Sequence, residues 1–247
     1  MSRPRLPAEL LDYIVDHLHD TRYALESCCL VSRSWVPRTR KHLFADVLFR
    51  DEEELQSWKN KFPDPSTSPA CYTKNLEVWC PEEVTAADAE ERGWIAAFSR
   101  VVYLDLEIPD RSEALLTPFH GFSPALRSLR VAYAIFPSSR ILDLLHSFSL
   151  VENFTAISWG LPSIENADGQ PTIVQPPLNG ALKLAGLEGI DCIITQLLSP
   201  LGGLRFRKLE LSLNCEEDIS SMAEMVEMCY PTLESLELKI GAYGASV

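Results

Sequence analysis

The sequence predicts an α/β protein. An all-α N-terminal module of three short helices leads into a strand–helix array, a solenoid with parallel strands on its concave side. Three observations carry this. Residues 6–44 hold three helical patterns in fewer than forty positions. From residue 73 onward a unit of the form apolar-x-x-apolar-x-apolar recurs seven times. At 247 residues and 46% hydrophobic content, the chain can bury a sizeable core. The expected division is a module at 1–47, a connector at 48–75 and the repeat region at 76–247.

In the first helix Leu10, Leu11, Ile14, Val15 and Leu18 recur at three- and four-residue steps, which places them on one face. Pro7 suits the first turn, where its missing N–H costs nothing, and Glu9 sits against the positive end of the helix dipole. Asp20 or Thr21 can cap a second helix through Ala24, Leu25, Cys28 and Cys29; Ser32 can cap a third that carries Trp35 and Leu43. Helices this short are marginal alone, and about forty residues rarely close a core. Their surplus of large apolar side chains either faces another protein or packs on the rest of the chain.

The connector opens with the acidic run Asp51-Glu52-Glu53-Glu54 and a short helical turn with Leu55 and Trp58. Pro63, Pro65 and Pro69 then exclude regular structure. The repeats are centred on Leu76, Leu104, Leu129, Phe154, Leu182, Leu209 and Leu236, at spacings of 28, 25, 25, 28, 27 and 27 residues. Alternation over five positions predicts a half-buried strand in each. Helical patterns lie between them at 85–98, 113–122, 140–148, 190–198 and 219–229. The leading position departs from the rule at Thr73 and Asn179. A Pro-rich stretch at 160–180 interrupts the rhythm and is expected to project as a loop.

The blocks Leu6-Pro7-x-Glu9-Leu10-Leu11-x-x-Ile14, Leu30-Val31-Ser32-Arg33-x-Trp35 and Leu43-Phe44, in that order and spacing, resemble an F-box of the fungal type. The array behind it resembles an irregular leucine-rich repeat. The resemblance implies a substrate-recognition adaptor of an SCF-type (Skp–cullin–F-box) ubiquitin ligase, bridging a Skp-type adaptor and a target protein. It also implies a cytoplasmic or nuclear protein with no catalysis of its own. Leu6, Pro7, Leu10, Leu11, Ile14, Leu30, Val31 and Trp35 match the family's docking and core positions. The alternative is an F-box-like scaffold that joins proteins without ubiquitylation.

Charge and motifs narrow the classes further. Net charge is −13; residues 1–45 hold seven Lys+Arg against five Asp+Glu, so +2 falls there and −15 on the remainder. So acidic a body repels phosphate backbones, which disfavours nucleic acid as partner. Seven cysteines without a C-x-x-C pair suit neither a disulfide framework nor a zinc site. No apolar run approaches the roughly eighteen residues of a membrane span. Nucleophile-elbow, phosphate-loop, dinucleotide and zinc-protease motifs are all missing, so no catalytic residue, cofactor or metal is expected.

If the apolar positions of each strand point into the core, parity turns the intervening residues to the concave face. Glu77, Trp79, Asp105, Glu107, Arg130 and Trp159 are the candidates there for contact with a target protein. Exposed tryptophans are frequent interface anchors. Asp105 and Glu107, two apart on one strand, read as a solvated acidic stripe.

Overall fold

The computed structural model describes residues 7–79, 94–108, 113–133, 140–158, 178–186, 204–213 and 218–240. It is a mixed α/β protein in which, among the described residues, eight strands form one parallel sheet in chain order. Six α-helices are present among the described residues. The N-terminal helices are α1 (Ala8–His17), α2 (Arg22–Val31) and α3 (Val36–Leu43); then come strand β1 (Asp46–Phe49), helix α4 (Glu52–Lys61) and β2 (Asn75–Trp79). Further on lie β3 (Tyr103–Ile108), β4 (Ser128–Tyr133), α5 (Arg140–His146), β5 (Asn153–Ser158) and β6 (Leu178–Gly186). The last elements are β7 (Leu204–Leu213), α6 (Asp218–Cys229) and β8 (Ser235–Ile240). Single 3₁₀ segments occupy Pro69–Tyr72, Ile95–Phe98 and Glu113–Phe119.

The repeat spacing becomes register. Leu76, Leu104, Leu129, Phe154, Leu182, Leu209 and Leu236 stand opposite one another across six successive strand pairs. Val78, Leu106, Val131, Ala156, Leu184, Leu211 and Leu238 form the next row two residues on. Both rows are buried until β8, in one core with Leu144, Phe148, Met222, Met225 and Cys229 from the helical side. Edge-to-face rings run through that layer from Phe44 and Phe49 through Trp58, Trp94, Phe98, Phe119 and Phe122 to Phe148. Each such pair adds about 0.5–1.5 kcal/mol beyond its buried area. Thr73, at one of the two leading positions that are not apolar, is fully buried with its hydroxyl unpaired.

Four sequence expectations are corrected. The sheet starts earlier than residue 76: Val47 and Phe49 are buried, and β1 pairs with β2 through Val47↔Leu76 and Phe49↔Val78. A four-residue strand carries too little alternation to stand out from a connector. The helical turn expected near Trp58 is a ten-residue helix, capped by Asp51, whose Oδ1 accepts from the Glu54 amide at 2.8 Å. Ser32 closes α2 instead of capping α3, and Trp35 occupies the N-cap of the third helix. The loop expected through residue 180 gives way to strand at Leu178. Gly180 sits at a bulge there with φ +90, and a Cβ on it would lie 2.1 Å from the Glu152 carbonyl oxygen, so only glycine fits. The 190–198 helix, most of the 85–98 helix, and the part of the Pro-rich stretch before Leu178 lie outside the described residues.

Candidate functional site

Two surfaces concentrate features that the fold itself does not use. The first is the outside of the N-terminal helices. Their interior is small: Val15, Leu25, Cys28 and Thr39 are buried, and none of them belongs to the main core. The interior is tied together by Asp16 at the end of α1. Its carboxylate accepts from Arg38 Nε at 2.6 Å, from the second Arg38 nitrogen, and pairs with His42 Nε2 at 2.7 Å. These hydrogen bonds, Arg38 first and His42 second, hold the Asp16 carboxyl far below its usual range.

With so few residues turned inward, several large apolar side chains face solvent. Leu10 is 50% exposed, Ile14 42%, Val31 67% and Leu30 89%. Tyr13 and Tyr23 are exposed as well. Pro7 is exposed at the N-cap of α1, and Leu11 and Trp35 are half-buried. Leu6 lies outside the described residues. Sequence reasoning missed Tyr13, although its i+3 step from Leu10 puts it on the same helical face. For Tyr23 no signal was available, since nothing in its spacing marks it.

The second surface is the polar face of the sheet, where Glu77, Asp105, Arg130, Thr155, Lys183, Glu210 and Glu237 form a row across seven strands. Most of its charge is neutralised within the row. Both Asp105 oxygens lie 2.6 Å from Arg130 Nη1, and the Tyr103 hydroxyl donates to Asp105 Oδ2 at 3.3 Å. Burial, and then the nearby Asp105 charge, push the Tyr103 hydroxyl up to about 12. Glu210 is held between Lys183 at 2.8 Å and Lys239, and both lysines lower its pKa.

This corrects the expected solvated stripe. Asp105 is only 6% exposed, because the adjacent strand places Arg130 directly opposite it. Asp105 and Arg130 therefore satisfy each other. Of the other candidates, Glu107 is exposed, Glu77 is half-buried, and Trp79 is 40% exposed directly opposite Glu107. Trp159 lies outside the described residues. What remains free is a compact patch of Trp79, Glu107 and Glu77 near the start of the sheet.

Among the described residues no group of three His, Cys, Asp or Glu is placed to hold a metal ion, and no helix is long and apolar enough to cross a membrane. Cys28, Cys29, Cys71 and Cys229 are free thiols. Compared with known proteins, the sequence matches no family model and no curated protein.

Proposed function

We propose that this chain is a substrate receptor of an SCF-type ubiquitin ligase, with residues 1–47 acting as an F-box and the sheet as a leucine-rich-repeat-like solenoid. The observation that carries this reading is the exposure of Leu10, Ile14, Leu30 and Val31 on helices with a small buried interior. So many large apolar side chains left in solvent mark a protein-interaction surface. It coincides with the block of residues that resembles the docking positions of an F-box. A Skp-type adaptor, and through it a cullin complex, is the partner that fits.

The target would meet the concave face at Trp79, Glu107 and Glu77, with Trp159 as a further candidate. Trp79 supplies the anchor, and the two carboxylates favour a basic protein segment. No bond chemistry is assigned to the chain. Its contribution is proximity, holding a target close to the charged conjugating enzyme and so raising its effective concentration. Such a protein would work in the cytoplasm or nucleus.

Co-expression of the full chain with a Skp-type adaptor and a cullin, followed by affinity purification and a ubiquitylation assay, tests the reading. Recovery of adaptor and cullin together with ubiquitylated proteins is the expected result. Adaptor without ubiquitylation would favour the scaffold alternative. Absence of the adaptor would overturn the F-box assignment.

A further inference from the structure

The last strand is unlike the seven before it. Leu236 and Leu238 continue the two buried rows, yet they are 42% and 50% exposed. Among the described residues, β8 pairs with β7 alone. An apolar cleft of about 460 Å³ opens between α6 and this strand, lined by Ile219, Met222, Val226, Tyr230, Leu236 and Leu238. An exposed edge with apolar side chains is a template for pairing with another strand.

The strand is complementary to itself. The row of Ser235 takes in Lys208 on β7, and its other members, Asn75, Tyr103, Ser128, Asn153 and Ala181, lie one per strand in matching register. Each donates its amide back to the preceding strand. By the same alternation Ser235, Glu237 and Lys239 turn their backbone groups toward β7, leaving those of Leu236, Leu238 and Ile240 at the free edge. A two-fold axis perpendicular to the sheet at Leu238 pairs these groups antiparallel, 238 with 238 and 236 with 240. The same axis sets Glu237 opposite Lys239 of the second copy, twice, beside the pairs that Lys239 makes with Glu210 and Glu237 of its own chain. Shifting the axis to residue 237 would bring Glu237 against Glu237, and shifting it to 236 would leave Lys239 opposite Leu233. Only the axis at 238 matches both charges. The apolar faces of both sheets then stay on one side, so the exposed Leu236 and Leu238 continue into the neighbouring copy's rows.

We propose that the β8 edge is a homodimer interface, in which two copies of this chain pair β8 antiparallel about Leu238 with reciprocal Glu237–Lys239 contacts. An interface of this kind is isologous and closes on itself. It leaves the N-terminal helices and the Trp79 patch free in both copies, since those lie at the opposite end of the sheet order.

Sedimentation equilibrium of the full chain over a concentration series should show a monomer–dimer equilibrium. Glu237→Lys and Lys239→Glu should each weaken it about tenfold, since both put like charges opposite each other at two symmetric places. The double exchange E237K/K239E should restore it. Independently of any variant, hydrogen exchange at the amides of Leu236 and Leu238 should slow as concentration rises. A chain that stays monomeric throughout would overturn the proposal, with residues 241–247 or a different protein then covering the edge. So would a dimer indifferent to both single exchanges, or one that the double exchange fails to rescue.

Discussion

Truncating the exposed apolar row gives a graded prediction, because its members differ in how much surface they still have to lose. Full burial of a Leu or Ile side chain contributes about 1.5–3 kcal/mol. Leu30 is 89% exposed in the free chain and retains nearly all of that for a partner. Leu10 at 50% and Ile14 at 42% retain about half, roughly 0.8–1.5 kcal/mol each. Leu30→Ala should therefore weaken adaptor binding by about ten- to a hundredfold, and Leu10→Ala or Ile14→Ala by about three- to tenfold. None of the three should shift the melting temperature much, because none belongs to the buried interior. Leu25→Ala is the control: at 1% exposure it should cost about 2–5 kcal/mol of stability in the helical module itself. Titration calorimetry with a Skp-type adaptor, beside thermal unfolding of each variant, separates the two effects. If Leu30→Ala bound the adaptor like the parent, the row would not be the docking surface. If it lowered stability as Leu25→Ala does, the exposed placement of Leu30 would be wrong.

Four further outcomes follow from the same geometry. Arg130→Met should destabilise the sheet by roughly 3–5 kcal/mol in chemical denaturation, since it strands a buried Asp105 carboxylate, and Asp105→Asn in the same chain should recover most of the loss. The depressed Asp16 pKa means its pairing stabilises the module above the ordinary aspartate value near 3.8 and loses that contribution as pH falls below it. Asp16→Asn should thus melt earlier than the parent at neutral pH, by an amount on the order of 1 kcal/mol or less for a one-third-exposed pair, and should match it in strong acid. Gly180→Ala should destabilise by at least ~1–3 kcal/mol in a denaturant titration, from its positive φ and the Glu152 carbonyl beside it. A flexible Gly/Ser insertion between Phe44 and Ala45 should leave adaptor and target affinities unchanged but slow ubiquitylation of a bound target in a reconstituted assay.

The parallel sheet was legible because its signal is repeated. A single apolar-x-apolar pattern is ambiguous, but seven at 25 to 28 residues constrain one another, and their centres meet in register. β1 was not legible for the converse reason: Val47 and Phe49 are one short alternation beside an acidic helix. The candidate site divides along the same line. Parity placed Glu77, Trp79, Asp105, Glu107 and Arg130 on the polar face, since side-chain alternation is local to a strand. The pairing of Asp105 with Arg130 was hidden, because it depends on which residues of two strands, 25 positions apart, stand opposite each other. On the helices, apolar periodicity identified Leu10 and Ile14 but not their exposure. A three-helix unit that buries Val15, Leu25 and Cys28 leaves its other apolar positions outside, and spacing cannot tell those sets apart.

The two surfaces are joined by packed structure with no slack chain between them. α3 ends at Leu43, and the Ala45 carbonyl already accepts from the amides of Lys74 and Asn75, at 2.8 and 3.0 Å, so the sheet starts within two residues of the last module helix. Phe44, in that junction, meets the rings of Trp58 and Phe62, with centroids 5.9 and 6.4 Å apart, and Trp58 continues into the aromatic layer through Phe49 and Phe98. Any rotation of the module against the sheet would break both edge-to-face contacts of Phe44 together. That matters for a receptor acting by proximity, because effective concentration depends on how narrowly the connection confines the target. The acidic run of the expected connector belongs to the helix Glu52–Lys61, whose Trp58 meets Phe44 at the junction. The rigidity of this junction, more than the chemistry of any single side chain, is what the proposed function would draw on.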